Sequence, residues 1–154
     1  MSNLEIRAIA NPKEREEMYH QRWLVLRAPL GMERGTEKDT HDEKAFHLIA
    51  ILTDKIVGSA RLVELSKELG SISYVAVLPD FQKQGIGTKL MEKLIEKARE
   101  KNLQRLRLKS RITAVNFYQK LGFSPAGEPF DYLGIPHVFM YLDIPAFRQQ
   151  DADL

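Results

Sequence analysis

The sequence contains no cysteine among its 154 residues. This absence excludes disulfide bonds, zinc sites built on thiolates and a cysteine nucleophile. Long apolar runs are also missing: the longest, around residues 48–52, is far shorter than the roughly 20 residues that span a bilayer. The first residues lack the apolar segment of a signal peptide. We therefore expect a soluble, cytoplasmic protein that uses no metal.

An excess of charge of one sign is missing as well. The chain has 23 Lys and Arg against 21 Asp and Glu, and acids alternate with bases along most of its length. The sequence shows no aromatic platforms among its basic residues on which bases could stack, so neither nucleic acid nor a membrane is predicted as a partner. Hydrophobic residues make up 44% of the chain, enough for a packed core, and we expect one domain over residues 1–154.

Hydrophobic periodicity and turn residues predict the element order β-α-β-β-β-α-β-α-β-β. Asn11-Pro12 reads as a helix start, with Asn11 as the N-cap and Glu14 as its partner three residues on. Strands are predicted at 4–9, 45–52, 55–65, 71–78, 103–108 and 137–142, helices at 12–27, 87–101 and 113–121, and a turn at 134–136. This order is typical of a mixed α+β fold with helices packed on a sheet.

Residues 75–89 (VAVLPDFQKQGIGTK) are the most informative segment. A strand ends in a tight loop, and two glycines open a long amphipathic helix. Such a junction presents unpaired backbone N–H groups and the positive end of the helix dipole, which favours phosphate or pyrophosphate binding. A dinucleotide-binding fingerprint would require glycine where Leu90 stands, and a Walker A loop is absent.

Two motifs together resemble a known family. Gln82 to Gly87 reads Gln-x-x-Gly-x-Gly, and residues 114–123 form a short predicted helix that ends Tyr-x-x-x-Gly-Phe. Both are similar to signatures of the GCN5-related N-acetyltransferase (GNAT) superfamily, and the resemblance covers about residues 4–142. It implies an α/β fold with a twisted mixed sheet, a central V-shaped split and flanking helices.

The resemblance also implies acetyl-CoA as cosubstrate and gives roles to individual residues. Tyr118 stands at the position of the general acid that protonates the departing thiolate, although a core tyrosine is the alternative. The residues implied to contact acetyl-CoA are those of the strand end and the loop: Val75, Ala76, Val77, Gln82, Lys83, Gln84, Gly85, Ile86, Gly87 and Thr88.

The sequence departs from the family pattern at two positions. Arg111 replaces an asparagine seven residues before the tyrosine, and it either contacts a phosphate of CoA or is simply solvated. Ser73 replaces a glutamate that often serves as base, and serine cannot accept a proton from an ammonium at neutral pH. The base is therefore expected at His47, Glu64 or His137, or in a water relay.

The function predicted from these residues is acetyl transfer from acetyl-CoA to a primary amine by direct attack in a ternary complex. The alternative is a non-catalytic acyl-CoA-binding regulatory module, which the serine at position 73 favours and the tyrosine at position 118 opposes.

The acceptor stays open among small amines, amino sugars, polyamines and peptide or protein amines, and a homodimer is compatible with the sequence. In the superfamily, the loop after the first helix forms a wall of the acceptor pocket. Here that loop, residues 32–44, is rich in acids, so we expect it to attract a cationic amine that His137 positions or deprotonates.

Overall fold

The computed structural model describes residues 3–145 of the chain. Seven strands and three α-helices follow one another in the predicted order. They are β1 (Glu5–Ala8), α1 (Pro12–Leu26), β2 (Phe46–Leu52), β3 (Lys55–Glu64), β4 (Leu69–Val77), α2 (Ile86–Glu100), β5 (Arg105–Arg111), α3 (Val115–Gln119), β6 (Ser124–Tyr132) and β7 (Ile135–Asp143). Within residues 3–145, no helix combines the length and the apolar character that crossing a membrane requires.

The strands form a seven-stranded sheet in the order β1-β2-β3-β4-β5-β7-β6. The pairs β1–β2, β2–β3, β5–β7 and β6–β7 are antiparallel, whereas β4 and β5 are parallel. The predicted mixed α/β sheet with flanking helices is thus confirmed. The parallel pairing joins residues 69–71 of β4 to residues 105–107 of β5. The V-shaped split between these two strands stays a prediction.

The described residues form two compact units, of which the first comprises residues 3–63 together with Ser73–Leu94. In its core, Met18 and Tyr19 of α1 pack against Ile49 and Ile56 of the β2–β3 hairpin. The hairpin turns at Thr53-Asp54, where both residues have positive φ (51° and 60°), as a tight two-residue hairpin turn requires.

The second unit comprises, within the described residues, Glu64–Ile72 and 95–145. Alternation along β5 buries Leu106, Leu108 and Ser110 and leaves the residues between them on the other side. β7 supplies Val138 and Met140 to the buried side. Gly122, with φ at 102°, ends the turn after α3 as predicted. The prediction of one domain over residues 1–154 stays a prediction.

Two predicted details are wrong. The last turn lies at Leu133-Gly134, where both residues have positive φ (57° and 77°), and Pro136 lies inside β7 opposite Asp131. β5 extends to Arg111, three residues beyond the predicted end of this strand at residue 108. In both cases strand pairing continues past the point at which local signals predicted that the strand begins or ends.

Helix α1 begins as its sequence predicts. The side chain of Asn11 accepts a hydrogen bond from the amide of Glu14 at 2.8 Å, and the Glu14 carboxylate accepts one from the amide of Ala10 at 2.8 Å. The same carboxylate pairs with Arg7 at 2.6 Å. These contacts fix the junction between β1 and α1.

We expect Asn11→Ala to lower the free energy of unfolding by about 1 kcal/mol, because the amide of Glu14 loses its acceptor. Urea denaturation followed by circular dichroism measures the change. Glu16→Ala, at an exposed position of the same helix, serves as control and should change stability by less than about 0.5 kcal/mol. Equal losses in the two variants would contradict the assigned cap.

Candidate functional site

The connection between β4 and α2 lies in the first unit and has the backbone of an anion-binding loop. Lys83 and Gly85 both adopt left-handed conformations, with φ at 62° and 84°. The amide of Lys89 donates to the carbonyl of Gly85 at 3.1 Å and so begins the helical hydrogen bonding. The amides before Lys89 have no acceptor within the helix, and they point out of its N-terminus. A Cβ at Gly85 would meet no atom within 4 Å, so the space above the loop is open.

The end of β4 carries a marked backbone irregularity. Tyr74 has φ at 53°. This backbone conformation is energetically unfavourable for a residue with a large side chain, and residues that adopt it are concentrated at functional sites. Tyr74 directly precedes the predicted cofactor-binding strand end, Val75–Val77. Two carbonyl groups of that strand end are engaged internally: Gln21 donates to Ala76 at 3.1 Å, and the Gln82 side chain donates to Val77 at 2.9 Å.

Through its hydrogen bond to Val77, Gln82 therefore stabilises the end of β4. Gln21 is itself held, because the hydroxyl of Ser59 donates to its side-chain oxygen at 2.6 Å. Gln21 and Ser59 are both buried. The result is a fixed strand end followed by a loop with open backbone donors, which fits the pantetheine and pyrophosphate of a CoA molecule.

A buried cluster of charged side chains lies in the same unit. Arg22 is 0% exposed and contacts Asp42 at 3.0 Å, while Arg61 contacts Asp42 at 3.1 Å and Asp39 at 2.6 Å. Burial alone would raise the pKa of Asp42, but Arg22, the amide of Asp39 and Arg61 together hold that pKa below its ordinary value. Both arginines also lie over the ring of Tyr74, at 4.1 and 4.6 Å from its centroid.

This cluster removes two acids from the predicted acidic wall for a cationic amine. Glu37 and Asp42 are 0% and 3% exposed, so neither carboxylate faces a ligand. Glu37 accepts from the amide of Gly35 at 2.7 Å, and its own carbonyl accepts from Arg22 at 3.0 Å. Asp42 neutralises the buried Arg22 and Arg61, because a buried guanidinium without a counter-charge costs several kcal/mol. Glu33, Asp39 and Glu43 are exposed, so an acidic wall formed by these residues stays a prediction.

His47 belongs to this cluster and is disfavoured as a base. Its Nδ1 accepts from Arg22 at 3.4 Å, and its Nε2 donates to the carbonyl of Asp42 at 2.8 Å. Burial lowers the pKa of His47, and the charge of Arg22 lowers it further, so the ring stays neutral. Neither nitrogen is left for a substrate. Ser73 is engaged as well, since its hydroxyl accepts from Arg61 at 2.9 Å.

Tyr118 lies in the second unit, on the short helix α3. Its ring packs edge-on against Phe117 and Phe123, with centroids 4.9 and 6.2 Å away. No side chain or backbone group within residues 3–145 forms a hydrogen bond with its hydroxyl, which leaves that group available to a ligand. Burial raises the pKa of Tyr118 to about 12, although the charge of Arg111 opposes the shift. The hydroxyl therefore keeps its proton at neutral pH.

The two other predicted candidates of this unit differ in environment. His137 is 7% exposed and lies between Phe130 and Tyr132, with ring centroids 6.2 and 5.3 Å away. Its Nδ1 is 2.7 Å from the carbonyl of Ile135. Because a carbonyl only accepts, Nδ1 carries the proton, and Nε2 keeps its lone pair. Glu64 is exposed and forms an ion pair with Lys101 at 3.4 Å, an ordinary surface contact.

The sequence reasoning missed Tyr74, Arg22 and Arg61 as neighbours of the predicted cofactor strand. Their positions depend on three elements, β4, α1 and β3, that are distant in sequence. The one local signal was Arg22 itself, a charged residue among the apolar positions of α1.

Comparisons with known proteins agree with this geometry. Residues 7–123 match the family described as Acetyltransferase (GNAT) family. A candidate acetyltransferase of Bacillus subtilis, BSU40680, is 32% identical over 104 residues, which are 68% of this chain and 70% of the relative. The chain therefore belongs to the GNAT acetyltransferase family.

Solved structures share the fold. An acyl-CoA N-acyltransferase from Pseudomonas aeruginosa is 21% identical with a TM-score of 0.80, and the match covers 92% of this chain and 99% of that one. A GNAT family acetyltransferase from Elizabethkingia anophelis, whose structure has acetyl-CoA bound, is also 21% identical, with a TM-score of 0.68 and coverage of 92% and 99%.

Proposed function

We propose that this protein transfers the acetyl group of acetyl-CoA to a primary amine by direct attack in a ternary complex. The observation that carries the proposal is the loop at the N-terminus of α2, with its left-handed Lys83 and Gly85 and its open backbone donors. Acetyl-CoA supplies the activated acetyl thioester. A chain without cysteine cannot form the usual thioester acyl-enzyme, which supports direct attack.

The chain's own residues divide the remaining tasks. The amides at the N-terminus of α2, from Lys83 to Thr88, bind the pyrophosphate, and free backbone groups of Val75–Val77 orient the pantetheine arm. Arg111 is half-exposed at the end of β5, and its proposed role is to contact a phosphate of CoA. Tyr118 holds at its hydroxyl the proton that the departing sulfur needs, and its high pKa keeps that proton in place.

His137 is the proposed group that positions the amine or accepts its proton. Its Nε2 has a free lone pair, whereas both nitrogens of His47 are engaged. The acceptor itself is a small-molecule or protein amine. A regulatory acyl-CoA-binding module without turnover is the alternative function, and the engagement of Ser73 by Arg61 favours it.

Gly87→Val tests the cofactor loop. A branched side chain in the first turn of α2 obstructs the approach of a phosphate to the backbone, so we expect the dissociation constant for CoA to rise at least tenfold. Isothermal titration calorimetry measures the constant.

The control for this variant is Glu92→Val, which places the same side chain at an exposed position of α2. It should bind CoA as the wild type does, and both variants should keep the wild-type circular dichroism spectrum. Unchanged affinity in a folded Gly87→Val protein would contradict the assignment of the loop. Bound CoA without turnover of any amine would favour the regulatory alternative.

A further inference from the structure

A regular row of cations lies on one side of β5. Arg105, Arg107, Lys109 and Arg111 occupy alternate positions, and the residues between them are buried. Alternate residues of a strand project from the same face about 6.7 Å apart. The four cations therefore form a straight row about 20 Å long on the face of the second unit that is opposite to its buried side.

Aromatic side chains of the neighbouring strands lie beside this row. In the antiparallel pairing of β5 with β7, Arg107 is opposite Tyr141, and Lys109 is opposite Phe139. Arg105 lies 4.2 Å from the centroid of Tyr141, and Arg107 lies 5.2 Å from that of Phe139.

Strand β6 extends the same arrangement. The Lys109 ammonium is 3.8 Å from the centroid of the Tyr132 ring, and the ring of Phe130 packs against Phe139 with centroids 4.8 Å apart. Each of the first three cations is thus held against a ring, and all four rings keep part of their surface exposed.

The charge of the row is largely uncompensated. Arg105 forms an ion pair with Asp143 at 3.3 Å. Within residues 3–145, no carboxylate forms an ion pair with Arg107, Lys109 or Arg111. The four cations against one acid leave a net charge of about +3 on this face, although the whole chain carries only +2.

We propose that this β5 face, defined by Arg105, Arg107 and Lys109 with Phe139 and Tyr141, binds single-stranded nucleic acid. The cation row complements a phosphate backbone, and partly exposed rings and guanidinium planes provide stacking surfaces for unpaired bases. An acidic peptide would use the cations but has no need of the rings. A duplex would hide its bases from them.

The first test measures binding of a fluorescein-labelled oligouridylate of about 12 nucleotides by fluorescence anisotropy at about 50 and 200 mM salt. In the double variant Arg107→Gln/Lys109→Gln, we expect the dissociation constant at the lower salt to rise about tenfold. The slope of log K against log salt should become less steep by about 1.4, because two phosphate contacts at about 0.7 each are lost.

The matched control removes the same charge elsewhere. Lys93→Gln/Arg99→Gln changes two exposed cations of α2 and should leave the salt slope unchanged. Acetyl transfer and CoA affinity should be equal to wild type in both double variants, which separates this proposal from the proposed function. Equal weakening by both double variants would overturn the proposal, since it would show a response to net charge alone.

A second arm tests the aromatic part of the face. Phe139→Leu keeps an apolar side chain but removes the ring, and we expect at least fivefold weaker binding of the oligouridylate with an unchanged salt slope. A polyglutamate peptide of the same charge should bind at least tenfold more weakly than the oligouridylate. Equal binding of the peptide, or no effect of Phe139→Leu, would overturn the proposal and make the face a docking surface for acidic proteins.

Discussion

Tyr118→Phe is expected to lower kcat by about 10²–10⁴-fold, the usual contribution of a general acid, with little change in the dissociation constant for acetyl-CoA. The substitution removes only the hydroxyl, which forms no hydrogen bond within residues 3–145. The ring contacts with Phe117 and Phe123 are retained. Steady-state release of CoA thiol with the best amine of a panel measures kcat, and calorimetry measures the cofactor affinity.

The matched control for Tyr118 is Tyr141→Phe, which removes a hydroxyl from another partly exposed ring of the second unit. This control should keep wild-type kcat, and neither variant should change the melting temperature by more than a few degrees. If kcat of Tyr118→Phe falls by less than about threefold, another group donates the proton. A large loss of stability would instead point to a structural tyrosine.

The raised pKa of Tyr118 sets a further expectation for this experiment. Because the hydroxyl loses its proton only near pH 12, its ionisation does not reduce activity at any pH below about 10. An acid limb in the pH profile of kcat/KM therefore reports the base or the amine acceptor and not Tyr118. If His137 is that base, His137→Gln removes this limb.

Asp42→Asn is expected to destabilise the protein by about 3–5 kcal/mol at pH 7. The amide cannot compensate the charges of Arg22 and Arg61, and Arg22 is 0% exposed. The side-chain nitrogen Nε of Arg22 already has no hydrogen-bond partner within residues 3–145. Urea denaturation at 25 °C measures the loss, which is a large fraction of the stability of an ordinary domain.

The pH dependence of stability tests whether the charge of Asp42 stabilises the fold. Its pKa is lower in the folded state than in the unfolded state, so its contribution is complete above about pH 4 and is lost as the pH falls through the folded value. The stability difference between wild type and Asp42→Asn should therefore shrink below about pH 4.

The same chemical change at the surface is the control for Asp42. Asp143 is 86% exposed and pairs with Arg105 at 3.3 Å, so Asp143→Asn should cost less than about 1 kcal/mol. If Asp42→Asn costs no more than this control, the buried cluster does not stabilise the fold in the way the structure indicates.

The sequence predicted best the features that depend on neighbouring residues. The cap of α1 at Asn11, the hairpin turn at Thr53-Asp54 and the amphipathic helix α2 all follow from local signals, and the structure confirms each of them. The glycine loop before α2 was also predicted from local signals. Gly85 has φ at 84°, a conformation that glycine adopts without steric cost, so the residue type itself indicates the turn.

The features that failed depend on partners far along the chain. Asp39 and Asp42 looked available for a ligand because their counter-charges, Arg22 on α1 and Arg61 on β3, lie at sequence separations of up to 22 residues. The aromatic rings of the β5 face are about 30 residues from the cations that they contact, and only the antiparallel register brings them together. Periodicity gives the face of a side chain but not its cross-strand neighbour.

Trp23 is the only tryptophan of the chain, and its surroundings make it an intrinsic optical reporter of the loop that follows α1. Its indole nitrogen donates to the carbonyl of Met32 at 2.9 Å, while Arg34 lies 5.6 Å from its ring centroid and His20 stacks at 6.1 Å. A ligand that displaces this loop breaks the bond and removes a nearby quencher or charge, so the emission spectrum shifts without any attached label. The fluorescence of the unmodified protein can thus report a displacement of Met32 or Arg34 from Trp23.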